Sequence, residues 1–120
     1  MSEQKRKGDF GESAVAEYLI ERGYTILARQ FRCRAGELDI VARSPEDILC
    51  FIEVKTRRDH SFADAREAVT PVKQRRLRTA AQWYLVNYAD MDTLCRFDVA
   101  EVYLGQKNMP EISYIPQAFE

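Results

Sequence analysis

Histidine is almost missing from this chain, with His60 the only one among 120 residues. A serine or cysteine nucleophile activated by histidine would have to be built around that single side chain, which makes such chemistry a poor reading. Cysteine is scarce as well. Cys33, Cys50 and Cys95 are odd in number, widely separated and free of any C-x-x-C spacing, which argues against a disulfide framework and a zinc knuckle and for reduced thiols. Net charge is nearly absent too: 18 Lys and Arg stand against 19 Asp and Glu, so attraction to a polyanion must come from how charge is distributed. No run approaches the roughly 18 apolar residues of a membrane span, and Met1 to Gly8 lacks the apolar stretch of a signal peptide. A cytoplasmic protein without membrane contact is expected. The length, with 46% hydrophobic residues, suffices for one core, and residues 1–120 read as a single domain.

What is present is ordered. Phe10, Ala14, Leu19 and Ile20 recur near helical spacing from Asp9 to Arg22, and Gly23 stops the pattern. Tyr24 to Arg32 and Glu37 to Ala42 read as strands joined by a short turn at Arg34, Ala35 and Gly36. After a turn at Ser44 to Asp47, Ile48 to Thr56 reads as a third strand, with Ile48, Cys50, Ile52 and Val54 on one face and Leu49 and Phe51 on the other. A strand apolar on both faces is central. Arg57 to Val69 has charge and no period, and is expected to be a mobile loop. Thr70 and Pro71 offer an N-cap and first-turn proline for a helix to about Tyr88, with Val72, Leu77, Ala80, Ala81, Tyr84, Leu85 and Tyr88 as its buried stripe. A fourth strand over 94–104 and a short edge strand over 112–115 before a frayed tail complete the chain.

Side chains two apart on a strand share a face, so Glu53 and Lys55 project together beside Phe51 from the apolar third strand. Asp39, alternating with Leu38 and Ile40 on the neighbouring strand, can be brought alongside Glu53 by antiparallel pairing. Two carboxylates meeting in a partly desolvated place cost several kcal/mol, which one lysine only partly relieves. A hard divalent ion such as Mg²⁺ is satisfied by one or two carboxylates, water and phosphate oxygens. It can lower the pKa of a bound water and offset charge on a phosphate, with Lys55 orienting the nucleophile. The plainer reading of Glu53 and Lys55 is a solvated surface pair worth less than about 1 kcal/mol.

Five ordered segments together resemble the YraN family: Gly11-Glu12, Gly36-Glu37-Leu38-Asp39-Ile40, Phe51-Ile52-Glu53-Val54-Lys55-Thr56-Arg57, Ala68-Val69-Thr70-Pro71 with Lys73-Gln74-Arg75-Arg76, and Cys95-Arg96-Phe97-Asp98-Val99. That family is similar to archaeal Holliday-junction resolvases and to restriction-endonuclease-like nucleases, whose shared motif is Asp followed by Glu-x-Lys on consecutive strands. The resemblance implies an α/β fold with a central mixed β-sheet flanked by α-helices. It implies that Asp39 and Glu53 are metal ligands, that Lys55 is the catalytic lysine, and that Glu12 is a helix carboxylate helping to hold metal or water. It offers Gln74 as the counterpart of a glutamine in related nucleases, although the tyrosine that follows four residues later in some of them is here Arg78.

Arg57 and Arg58 with Lys73, Arg75, Arg76 and Arg78 can form a phosphate-contacting surface, though charged helix faces are usually only solvated. Glu37 reads equally as a carboxylate supporting Asp39 or as a polar residue near a turn. Trp83 and Tyr84 are adjacent on a helix and cannot share a face. His60 and Ser61 read as loop residues facing water, and Arg96 with Asp98 as a structural ion pair. The leading expectation is a Mg²⁺ or Mn²⁺ dependent DNA endonuclease, with branched or structured DNA as the substrate class implied by the resolvases and a homodimer suited to a symmetric junction. Against it stand a non-catalytic nucleic-acid-binding or assembly protein that keeps the nuclease fold, and a structural interaction domain with ordinary ion pairs.

Overall fold

The structure is a computed structural model describing residues 3–57, 69–105 and 109–120, with side chains from Gly8 onward. The order is α1 (Glu3–Glu21), β1 (Thr25–Cys33), β2 (Gly36–Arg43), β3 (Leu49–Arg57), α2 (Pro71–Tyr88), β4 (Cys95–Tyr103) and β5 (Glu111–Phe119). The strands form one sheet in the order β1-β2-β3-β4-β5. Only β3 and β4 run parallel; the other neighbours are antiparallel. A parallel pair needs a long crossover, and α2 supplies it.

Alternation along β3 divides the core. Leu49 and Phe51 pack with Leu77, Ala80, Ala81, Tyr84 and Leu85 of α2, while Cys50 and Ile52 pack with Val15, Ala16 and Leu19 of α1. The expected mixed sheet flanked by helices, with β3 central, is present. Gly23 ends α1 with φ +88, its N–H donating to Ile20 and that of Tyr24 to Leu19, a Schellman stop. Thr70 caps α2 through its side chain, which accepts from Lys73 N, and Pro71 opens the helix.

Four expectations are corrected. α1 begins at Glu3 rather than Asp9, and it buries Gly11, Glu12, Val15, Ala16 and Leu19, leaving Phe10 and Ile20 exposed. Val72 and Tyr88 are exposed on α2, although the Tyr88 ring still meets Phe31 of β1 edge-on with centroids 5.8 Å apart. β5 runs nine residues to Phe119 instead of ending at Ile115: a bulge around Gln117, φ 49, carries the strand past Pro116 and lets Phe119 stack on Phe97 with ring centroids 5.0 Å apart. The fourth concerns Asp39. Leu38 packs toward α2 and Ile40 toward α1, although residues two apart should share a face. Simple alternation therefore breaks at Asp39, and the facing Gln30 adopts φ 52. The expected loop lies almost wholly outside the described residues, as do Arg58, His60 and Ser61.

Candidate metal and active site

The β2–β3 ladder ends at the pair Ile40 and Ile52, and beyond it the strands are joined by a side chain. Asp39 Oδ2 accepts from Val54 N at 2.8 Å, replacing a main-chain acceptor. The break places Asp39 on an open cleft of about 630 Å³ lined also by Asp9, Glu12, Gln30, Glu37, Val54, Lys55 and Thr56. Glu53, on the next residue pair of the same register, is buried and is the strongest charged influence on Asp39.

Helix α1 reaches this cleft through Gly11. A Cβ there would lie 2.1 Å from Thr56 Oγ1, so only glycine lets the helix approach the end of β3 this closely without a shift. The next residue, Glu12, is buried and accepts from Arg29 Nε at 2.9 Å, while Arg29 also donates to Ser13 at 3.0 Å. Arg32 lies 3.5 Å from Glu37, and Gln30 donates to Asp9 at 3.2 Å.

Two lysines converge on Glu53. Lys55 Nζ and Lys73 Nζ each lie 3.5 Å from Glu53 Oε1. Lys73 occupies the third position of α2, where the Thr70 cap holds its backbone. Burial lowers the Lys55 pKa, the neighbouring Lys73 lowers it further, and Glu53 restores only part. Burial also acts against the charge of Lys73, but Lys55 and Glu53 outweigh it and its pKa ends raised. Asp39 behaves in the opposite sense to a paired carboxylate. Burial, then the charge of Glu53, push it up to about 7, with Glu12 and Glu37 adding to the rise against the bond from Val54.

Of the residues marked by sequence, Asp39, Lys55 and Glu12 line the cleft, and Glu53 stands behind Lys55. Lys73 turns to Glu53, and Gln74 donates to Val69 O at 3.0 Å, bracing the entry to α2. Arg57 Nε lies 3.3 Å from the buried Glu101. Arg75 and Arg76 are exposed, and Arg76 sits beside the Gly36 turn. Sequence reasoning missed Asp9, Gln30, Arg29 and the pairing of Lys73. The capping position of Lys73 was a usable signal, since it fixes that residue one turn into the helix following β3.

The oxygen-only set of Asp39, Glu53 and Glu12 suits a hard divalent ion, and the raised Asp39 pKa marks a place where positive charge is wanted. Among the described residues, no three His, Cys, Asp or Glu side chains are grouped to hold an ion as they stand. Arg29 holds Glu12, and the two lysines hold Glu53, so an ion would compete with them.

The model of "Uncharacterised protein family UPF0102", the YraN family, matches residues 11–102, which contain all five segments quoted above. The UPF0102 protein of Pelobacter propionicus is 44% identical over 119 residues, covering 98% of this chain and 85% of that one. That of Geobacter metallireducens is 45% identical over 117 residues, covering 97% and 93%. That of Caldicellulosiruptor saccharolyticus is 41% identical over 117 residues, covering 97% and 98%. Among solved structures, a chain of the EndoMS complex with double-stranded DNA gives a TM-score of 0.42 at 21% identity, covering 73% of this chain and 34% of that one. Pyrococcus furiosus SfsA in complex with Ca²⁺ gives 0.41 at 13%, covering 98% and 65%. These two likenesses are too distant to carry activity or mechanism. No helix among the described residues is long and apolar enough to cross a membrane.

Proposed function

The chain belongs to the UPF0102 family, and from that premise we propose that it is a Mg²⁺ or Mn²⁺ dependent endonuclease hydrolysing phosphodiester bonds in cytoplasmic DNA, with branched or structured DNA as its substrate class. The observation that carries this reading is Asp39, a carboxyl held at about 7 on an open cleft beside Lys55 and electrostatically joined to Glu53. Asp39 and Glu53 would hold the ion, with Glu12 behind them. When bound, the ion supplies a water of lowered pKa and positive charge against the phosphate.

The remaining work falls to the chain. Lys55, with its pKa lowered by burial and by Lys73, is suited to orient an attacking water and to take up a proton at Nζ. Lys73, the more exposed of the two lysines, is free to turn from Glu53 to a phosphate oxygen once Glu53 binds elsewhere. Arg76 and the exposed flank around the Gly36 turn extend the phosphate contact, with Arg57 at the end of β3, Gln74 near the start of α2 and Arg58, which lies outside the described residues, as further members of the proposed set. In purified protein with Mn²⁺, cleavage of duplex, flap or four-way substrates is expected, and Glu53→Gln or Lys55→Ala should lower it by about 1000-fold, or about 4 kcal/mol, with the fold retained. Absence of cleavage on every such substrate overturns the proposal.

A second reading is a nucleic-acid-binding or assembly protein without turnover. It is favoured by the partners already present, since Arg29 and the lysine pair neutralise Glu12 and Glu53 without an ion. Salt-sensitive DNA binding with no Mn²⁺-stimulated cleavage would select it.

A further inference from the structure

The outward face of α2 carries an apolar stripe that nothing in the described chain covers. Leu77, Ala80, Ala81, Tyr84 and Leu85 face the sheet, so helical periodicity turns Val72, Arg75, Thr79, Trp83 and Val86 to the opposite side. Trp83 and Val86 are exposed by 48% and 66%. With Thr79, Gln82 and Asn87 they line a shallow groove of about 430 Å³ on a single helix. Charge is distributed unevenly along this helix. Lys73, Arg75, Arg76 and Arg78 occupy its first half with no acidic residue anywhere in it, while Asp90 and Asp92 follow its end.

We propose that this stripe is the contact between two copies of the chain, packed antiparallel with Trp83 beside a two-fold axis. With that axis between Gln82 and Trp83, Thr79 faces the partner's Val86, and Arg75 lies at the end of the partner's helix, just after which the partner's Asp90 follows the cap. Each basic first half then meets an acidic end, and the two helix dipoles oppose. A parallel stacking of the two helices would set like charges together. The helical stretch from Arg75 to Tyr88 spans about 20 Å, and Asp90 follows just beyond its Ala89 cap, enough for both charge pairs to flank the aromatic centre. A two-helix contact of this length falls short of the roughly 800 Å² per partner of a standard stable interface, so the dimer is weak and concentration-dependent. The contact lies on the opposite side of α2 from the residues that face the sheet, so it stands whether or not the site is catalytic.

Trp83 is the only tryptophan, and its emission reports the contact directly. Sedimentation and tryptophan fluorescence of the metal-free and DNA-free protein across about 1–500 µM should show monomer passing to dimer together with a blue shift. Trp83→Arg or Val86→Arg, both at exposed positions, should weaken association by at least about 10-fold with unchanged circular dichroism. Arg75→Asp alone and Asp90→Arg alone should each weaken it about 5-fold, and the two combined in one chain should restore it. A monomer at every concentration overturns the proposal. So does a dimer indifferent to Val86→Arg and to the charge exchange, since it must then use another face.

Discussion

Two aspartates on the strands that flank β3, Asp98 fully buried and Asp39 half-buried, show what separates a carboxylate that builds the fold from one that is left for chemistry. Asp98, fully buried on β4, accepts from Arg96 Nε at 3.0 Å, from the Tyr114 hydroxyl and from Gln117 N at 2.9 Å, and Arg96 in turn donates to Tyr24 at 2.8 Å. Asp39 receives one backbone N–H, from Val54, and faces Glu53, Glu12 and Glu37. The first has its charge answered by a guanidinium on its own strand. The second sits where like charges gather and water can enter. Satisfied burial serves stability, whereas the unanswered carboxyl on a cleft is the position at which an added cation gains most.

The largest effect that distinguishes them is expected at Asp98. Asp98→Ala leaves Arg96, Tyr114 and Gln117 N without their shared acceptor, and should cost about 3–4 kcal/mol in denaturant unfolding, because breaking a buried pair strands the remaining charge. A loss below about 1 kcal/mol would place Asp98 in the same class as surface pairs.

Asp39→Asn should act with the opposite sign. In the folded chain the carboxyl sits at about 7 against an ordinary value of 3.8, so its contribution is favourable below about pH 4 and is lost as pH rises through about 7. The substituted amide keeps an acceptor for Val54 N and carries no charge. At pH 8 without metal the variant should be more stable by about 2 kcal/mol, below the roughly 4 kcal/mol ceiling set by the pKa gap. The advantage should vanish near pH 4, and Mn²⁺ should stabilise the unsubstituted protein but not the variant. Equal stability at pH 4 and pH 8 would remove the contrast with Asp98.

A smaller effect belongs to the helix that brings Glu12 toward Asp39. Gly11→Ala drives a methyl into Thr56 Oγ1 and should cost about 1 kcal/mol, whereas in a Thr56→Ala background the same change should become stabilising, as alanine is the better helix former. Thermal unfolding of the four proteins in that cycle checks the sign reversal. The smallest effect is expected at Lys73. Removing one of the two ammoniums on Glu53 by Lys73→Met should raise Mn²⁺ affinity about 3-fold by calorimetry, less than 1 kcal/mol, since an ion then competes with Lys55 alone. Weaker Mn²⁺ binding in that variant would mean that Lys73 supports the site instead of occupying it.

Much of this could be read from the residues. Apolar side chains on both faces of Leu49–Val54 marked the central strand, and Thr70-Pro71 marked the start of α2, because each pattern reports a local constraint that tertiary packing kept. Glu53 and Lys55 were legible as charges entering an apolar strand. The orientation of Asp39 was not, since alternation breaks there opposite a Gln30 of positive φ, and no residue type on either strand announces it. Lys73 was hidden among similar cations, and only the position of the cap relative to β3 singles it out. The far half of β5 was obscured by Pro116. Its continuation depends on Gln117 donating across the bulge to Asp98, a contact nineteen residues distant in sequence.

The proposed cation site at Asp39 and Glu53 is tested most directly by anomalous diffraction from crystals soaked in Mn²⁺. One peak within about 2.2 Å of an oxygen of each carboxylate is the expected result, with Lys73 displaced from Glu53. Ordered density in which Glu53 still holds both lysines, Asp39 faces only water and no manganese lies between them would contradict it.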